Sequence, residues 1–515
     1  MNAKADAFLV SPGYGRSYGD GQRRIRHGLP SLGLACINGL LKSNGYRTRF
    51  IDLACSDWTE TGLIGCVAAE RPRFVGITAV TTQIMSAVRI AQAVKRASPR
   101  TATVLGGPHP SALPDLTASY PGVDYVVSGE GERPMLELLE GRKAAEIAGL
   151  TWTEGGTVRS NPRRPPIMDL DSMPLPDYEG LNIERYGHIL NGTLMPVMSG
   201  RGCPYHCVFC VSDAVSGNKC RFLSPARFVD HIEDLLVRYG VRRFTFTDET
   251  FVLKAARVRG ICDEILRRNL RIRWVCQTRV NGIEPGIVAI MKRAGCQAME
   301  IGIESGDPDV LNRVGKGIEP DQVRSACRTI RKAGVRLNGF FILGLPYDTP
   351  QTVRRTIDFA KELPLDFAQF AMFVPLPGSE GWNLALDGQV LRLYASNWDD
   401  FSRYTYPIVE SDALSREQLK TLHAAALREF YFRPKMAVRW LMGIRSAKAL
   451  RNLFDMVLGF ARIAAAKRLP TEAVPTTEVT HENVGGLIGV LGKTKPSQVR
   501  RPVRRPEPEP AVTAC

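Results

Sequence analysis

RGCPYHCVFC, residues 201–210, places three cysteines, Cys203, Cys207 and Cys210, within ten positions. A closed zinc site or a complete iron–sulfur cluster takes four protein ligands, so a tight triad either lacks a partner or leaves a metal position open. Cys220 lies ten residues past the triad and the next cysteine is Cys262, so the second close pair of a zinc module is missing. An iron centre with one open position is the preferred reading.

The triad directly follows an apolar run, LMPVMSG (194–200), the first of six. The others are RRFTFTD (242–248), RWVCQTR (273–279), AMEIGIES (298–305), RLNGFFILGLP (336–346) and FAQFAMFVP (367–375), separated by segments with helical spacing. Six strand–helix units predict an incomplete (β/α) barrel over 194–390, with its site at the C-terminal strand ends, where the triad falls.

Residues 1–150 repeat the alternation on a smaller scale. Runs at 6–12, 47–53, 73–79, 101–107 and 123–129 alternate with helical patterns at 31–45 and 82–97. They predict a doubly wound, flavodoxin-like sheet with ligand loops at the strands' C-terminal ends. Those loops are rich in Gly, Ser and Thr (SPGYGRSYGDG, TAVTT, GGPHPS and SGEGE), but no Gly-x-Gly-x-x-Gly opens a helix after the first strand, which argues against a dinucleotide. The proline-rich, aperiodic stretch before the barrel reads as a linker, assigned to 151–193. Residues 391–468 read as helical, and 469–515 have the composition of a disordered tail.

Net charge is +16 over 515 residues, yet the basic excess is concentrated near the C-terminus. Between Arg433 and Arg468 nine Lys or Arg face a single acid, Asp455. The cysteine-bearing region therefore needs no phosphate partner, and no nucleic acid is expected. The segment 432–468 combines Trp440, Leu441, Leu453, Phe454 and Phe460 with these charges. It suits either a cover over the open side of the barrel or peripheral contact with an anionic bilayer. The N-terminus resembles neither a secretory signal nor a membrane span, and the isolated cysteines suit reduced thiols, so a cytoplasmic location is expected, with the inner membrane face as the alternative.

Cys-x3-Cys-x2-Cys after the first strand of a partial barrel resembles the radical S-adenosylmethionine (SAM) superfamily. The resemblance implies that Cys203, Cys207 and Cys210 hold a [4Fe-4S] cluster whose fourth iron is left for the amino and carboxylate groups of SAM. It also implies that Phe209 lies against the adenine, that Asp248 and Glu249 approach the SAM amino group, that Glu304 and Ser305 approach the ribose, and that Gly344 belongs to the glycine motif after the fifth strand. A doubly wound domain ahead of such a barrel resembles the cobalamin-binding subclass. This implies corrin contacts from Thr78, Thr81, Thr82, Gly106, Gly107, His109, Ser111, Gly129, Glu130 and Gly131. Asp-x-His-x-x-Gly does not occur here, so a corrin without a protein imidazole ligand is expected, with His109 in a hydrogen-bonding or structural role. An FMN domain or an empty scaffold is the alternative. Cys36, Cys55 and Cys66 are read as buried thiols, not as the second cluster of a methylthiotransferase.

The subclass mostly methylates unactivated carbon using methylcobalamin and a deoxyadenosyl radical, and that is the first expectation, for a small-molecule substrate, a hydrophobic one included, held between the two domains. Oxidative cyclisation or ring rearrangement, as in tetrapyrrole chemistry, is the second. A non-catalytic cobalamin sensor is the rival of another class. A flavodoxin or ferredoxin is the expected electron donor.

Overall fold

A computed structural model describes residues 4–13, 28–55, 58–188, 192–434, 436 and 478–481. The N-terminal sheet contains β1 (Ala7–Ser11), β2 (Thr48–Asp52), β3 (Phe74–Thr78), β4 (Ala102–Gly106) and β5 (Tyr125–Val127), in the order β2-β1-β3-β4-β5 and all parallel. Strands buried on both faces read as continuous apolar runs, which is why all five are visible in the sequence. The order reverses between β1 and β3, and ligands of open α/β sheets bind outside such a switch point. The loop after β1, residues 14–27, lies outside the described residues.

The sheet does not stop at 150. β6 (Leu150–Glu154) and β7 (Thr157–Ser160) add an antiparallel hairpin, turning on Gly155 and Gly156 at positive φ. The stretch read as linker thus begins as part of the domain, and its remainder is fastened down. Asn38 donates to the carbonyl of Asp177 (2.9 Å), Tyr186 donates to Asp52 (2.8 Å), and Tyr178 is fully buried. A Cβ at Gly39 would lie 2.2 Å from the Leu175 carbonyl, so the helix Leu32–Ser43 must carry glycine where the strap crosses it. A small hairpin, β8 (Gly187–His188) with β9 (Gly192–Thr193), leads into the barrel.

β10 (Met195–Val197) opens the barrel sheet. A two-stranded ribbon, β11 (Gly200–Arg201) with β12 (Arg221–Phe222), encloses the cysteine loop. The sheet continues through β13 (Arg243–Phe246), β14 (Arg273–Thr278), β15 (Cys296–Glu304), β16 (Arg336–Leu343) and β17 (Phe367–Met372), parallel and in chain order. Its outer face packs under the helices with Phe246 stacked on Trp274 at 4.4 Å. Register aligns Gln277, Glu300 and Asn338 on the opposite, inward face. The helix Arg416–Tyr431 covers the last strand: Tyr431 donates to the carbonyl of Ala368 (2.6 Å), and His423 bonds that of Phe370 (3.1 Å). This blunts an edge that would otherwise be open to pairing.

β18 (Arg392–Tyr394), β19 (Val409–Glu410) and β20 (Glu478–Val479) form a small antiparallel sheet. Glu478 and Val479 therefore belong to a strand although they fall in the stretch read as a disordered tail. The basic segment 432–468 lies outside the described residues except for 432–434 and 436. Among the described residues no helix is long and apolar enough to cross a membrane.

Candidate active site

The cysteine loop leaves β11 at the C-terminal rim of the barrel. Gly202, at φ +91, starts it because a Cβ there would lie 2.4 Å from the Lys219 carbonyl. All three cysteines are free thiols, and Cys220 donates instead to the Gly202 carbonyl at 3.4 Å. Among the described residues no three Cys, His, Asp or Glu side chains are already gathered at metal-holding spacing. The triad nevertheless shares one electrostatic environment. Burial raises the Cys203 and Cys210 thiols, the neighbouring cysteines add to this, and Arg279 and Lys316 respectively pull them back down. Cys207 donates to the carbonyl of Gly315 (3.7 Å) and accepts from Arg279 Nη1 (3.4 Å).

Arg279 and Lys316 were not singled out from the sequence. Arg279 ends the third barrel strand run, lies 3.8 Å over the Tyr205 ring, and keeps Nη2 buried without a partner. Lys316 is 4% exposed, donates to Glu304 Oε1 at 2.8 Å and stands 5.8 Å from the Phe209 ring. The signal was available: Arg279 occupies the same kind of strand end as Asp248, and Lys316 sits between Gly315 and Gly317, both at positive φ.

The residues expected to meet SAM divide into two groups. Glu249 Oε2 is buried with no hydrogen-bond partner, close enough to Cys203 to raise its thiol. Phe209 packs partly buried beside Lys316. Asp248, by contrast, is already engaged, accepting from the backbone and hydroxyl of Ser199 (3.0 and 2.6 Å) with Arg257 at 3.5 Å. Ser305 is bonded to Thr356 (3.0 Å) and accepts from the Asp307 N–H (3.1 Å), while Gly344 donates to Asp348 (3.0 Å). These three hold strand ends and turns. Glu304, at φ +67, is held in its uncommon conformation where the β15–β16 register shifts, by its ion pair with Lys316.

The N-terminal loops gather at the C-terminal ends of β3, β4 and β5. A Cβ on Gly107, at φ +98, would lie 2.7 Å from Thr78 Oγ1, so only glycine fits. Ser111 accepts from the Gly129 N–H (2.9 Å), tying the second and third loops together. Thr81 and Thr82 are buried beside them, and Gly106 ends β4. His109 is 1% exposed, its Nδ1 bonded to Thr81 (3.3 Å) and its ring edge-on to Trp398 at 4.6 Å. Burial lowers it to about 3, so it is neutral at physiological pH. Gly131 caps the helix Glu132–Leu139. Glu130 bonds Arg201 and Arg221 of the cysteine-loop ribbon, each at 2.8 Å. The short helices Pro108–Ala112 and Ser212–Val215, which follow the Gly-Gly-Pro-His loop and Cys210, meet at Gly378, where a Cβ would be 3.0 Å from both Ala112 and Ala214.

Comparison with known proteins accounts for both halves. The profile of the Radical SAM superfamily matches residues 197–360, and that of the B12 binding domain matches 23–139. An uncharacterized methyltransferase of Pyrococcus horikoshii is 34% identical over 433 residues, covering 82% of this chain and 93% of that one. The anaerobic magnesium-protoporphyrin IX monomethyl ester cyclase of Rubrivivax gelatinosus is 30% identical, covering 81% and 76%. In fold, the chain resembles the radical SAM methyltransferase TsrM of Kitasatospora setae, solved with cobalamin and a [4Fe-4S] cluster, with a TM-score of 0.69 at 19% identity over 89% of this chain and 99% of that one. It also resembles the cobalamin-dependent radical enzyme OxsB, with a TM-score of 0.71 at 17% identity over 90% and 72%. The chain is an enzyme of the radical SAM superfamily. Within it, the chain belongs to the cobalamin-binding branch of methyltransferases and cyclase-like proteins.

Proposed function

We propose that this enzyme transfers a methyl group to an unactivated carbon of a small molecule. The reading is carried by one observation: the Gly-Gly-Pro-His loop and the cysteine loop abut through the helices that meet at Gly378, so corrin and cluster would open onto one substrate space. When bound, the cluster supplies a low-potential electron to SAM, and cobalamin carries the methyl group.

The residues present fit these groups. Three free thiols leave one iron position open, and among the described residues buried polar atoms near them lack partners, Glu249 Oε2 and Arg279 Nη2 among them. The acceptor suits the SAM amino group and the donor suits its carboxylate, since a buried polar atom is costly until paired. Phe209 supplies an apolar face for the adenine, and the Glu304–Lys316 pair offers its remaining acceptor to the ribose. Asp248, Ser305 and Gly344 shape the rim without touching SAM. Gln277 donates to Glu300 (3.3 Å) and Gln369 to Tyr404 on the inward face of the barrel, which favours a substrate with hydrogen-bonding groups over a purely lipid-like one.

A corrin would lie on the loops around Thr78–Thr82, Gly106–Ser111 and Gly129; the His109 ring is enclosed by Thr81 and Trp398 with Nε2 buried and unpartnered, and we read it as a packing residue and not as a cobalt ligand. Replacing His109 by alanine is expected to leave the visible spectrum of bound cobalamin unchanged and to destabilise the fold by about 1–3 kcal/mol. A change from an imidazole-ligated to an unligated spectrum would show that His109 is a ligand after all. The described cysteines are all free, which suits a reducing compartment such as the cytoplasm and a flavodoxin or ferredoxin as electron donor.

The similarity to the cyclase of Rubrivivax gelatinosus favours oxidative ring closure as the second reading. Anaerobic reconstitution with iron, sulfide and cobalamin, followed by a SAM assay with candidate acceptors, separates the two. Methyl transfer yields both S-adenosylhomocysteine and 5′-deoxyadenosine; deoxyadenosine alone supports cyclisation.

A further inference from the structure

Glu130 joins four separate stretches of chain. Its Oε1 accepts from Arg201 Nη1 and Arg221 Nη1, both at 2.8 Å, and its Oε2 accepts from the Ile167 N–H at 2.6 Å. Glu132 takes the other arm of Arg201 (2.7 Å), while Arg221 also donates to the carbonyls of Ile167 (2.8 Å), Ser216 (2.6 Å) and Lys219 (3.3 Å). The Arg221 side chain is 1% exposed and that of Glu130 is 9% exposed. A buried charge network of this kind is sustained only when its members are paired and hydrogen-bonded.

Arg201 and Arg221 are register partners in the β11–β12 ribbon. The chain between them, residues 202–220, is the whole cysteine loop. Two guanidinium groups side by side repel, and a carboxylate from the other domain holds them together. A second tie lies past Cys210: Arg163 donates to the carbonyls of Asp213 (3.2 Å), Ala214 (2.8 Å) and Val215 (3.1 Å). The cysteine loop is thus secured at its neck and at its far end by residues that precede the barrel.

We propose that Glu130 is a positioning residue for the cysteine loop and not a corrin contact, so that the N-terminal domain forms part of the structure that retains the cluster. The proposal rests on the assignment of the triad to the cluster. Glu130 keeps the loop neck closed, and the closed neck presents Cys203, Cys207 and Cys210 at a fixed spacing. Residues that orient metal ligands from behind commonly alter metal retention by about 10–100-fold when replaced.

The test compares full-length wild type with Glu130→Gln, Arg221→Gln, Arg163→Met, Glu130→Gln/Arg221→Gln and Lys42→Met, each reconstituted with iron and sulfide and loaded with hydroxocobalamin. Lys42→Met breaks an ion pair with Asp177 (3.0 Å) away from the loop and reports general loosening. Two quantities are read: cobalamin bound per chain, and the rate at which EDTA bleaches the cluster absorbance. Glu130→Gln is expected to bind cobalamin like wild type and to lose its cluster about 10-fold faster. Arg163→Met, at an exposed side chain, should shift the rate in the same direction by less. The double variant should lose its cluster more slowly than the product of the two single effects, because the two residues act as a pair, and a full product would overturn the pairing. Loss of cobalamin with an unchanged cluster lifetime would make Glu130 a corrin contact and overturn the proposal. Wild-type behaviour in Glu130→Gln, or equal acceleration in Lys42→Met, would overturn it too. Failure of the wild type to take up iron, or uptake by a chain lacking all three cysteines, would instead overturn the assignment of the triad.

Discussion

A chain with alanine at Cys203, Cys207 and Cys210 will come out of anaerobic reconstitution colourless, with its iron falling from about four atoms per chain to background. SAM cleavage should disappear with the iron. The fold should survive, because the loop is anchored through backbone that alanine keeps: the β11–β12 pairing, the Cys203 N–H on the Gly217 carbonyl (3.3 Å) and the Val208 N–H on that of Val314 (3.0 Å). Cobalamin binding should persist as well, since no cysteine of the triad belongs to the N-terminal loops. Iron analysis, circular dichroism and cobalamin titration on one preparation check all of this. Full iron content in the triple variant would end the cluster assignment.

Lys316→Met should carry the largest stability cost of any single change near the site, about 3–5 kcal/mol. Lys316 is almost fully buried and donates to Glu304, whose side chain is 10% exposed. Without the ammonium group, a carboxylate is left in the protein interior on a residue already held at positive φ. A longer cation does not substitute freely, because the pair is closely packed: a Cβ on Gly302 would sit 2.5 Å from Glu304 Oε1 and 2.9 Å from Lys316 Nζ. Removing both charges in Lys316→Met/Glu304→Gln should recover part of the loss, since neither partner is then stranded. Denaturant midpoints of the wild type, the single variant and the double variant measure this. A single variant as stable as wild type would mean that the pair contributes little.

The parallel strands of the N-terminal sheet were legible because strands covered on both faces leave continuous apolar runs, and those of the barrel because their outward residues are apolar at every second position, as at Trp274 and Cys276. The hairpin at 150–160 was not, since its residues are largely exposed and polar, as in Thr157–Ser160. The strap from 160 to 193 is held by single tyrosines and caps, which have no period to detect. In the site, the spacing of the triad was informative by itself, whereas strand-end acids were ambiguous. Asp248 and Glu249 are adjacent, yet one is consumed by Ser199 and the other is left with an unpartnered oxygen. Arg279 escaped notice because its partner Cys207 is 72 residues away, a juxtaposition that only the closed barrel creates. The ion pairs of Glu130 were hidden for the same reason: its motif was visible, but its partners lie 71 and 91 residues downstream.

The apolar cluster shared by the N-terminal sheet and the last described segments bears on how the chain is made. Ile77, Ile84 and Tyr120 pack in one core with Trp382, Trp398 and Phe401, and Trp398 donates to the Tyr120 hydroxyl at 3.0 Å across 278 residues. At roughly 5–20 residues per second, a ribosome needs about 14–56 s to deliver Trp398 after Tyr120. During that interval the nascent N-terminal domain presents an apolar surface with nothing to close it. Chaperone occupancy of the half-made chain should therefore persist until residues near 400 have left the exit tunnel, and a messenger truncated within the barrel should yield an aggregating fragment in place of a free-standing cobalamin domain.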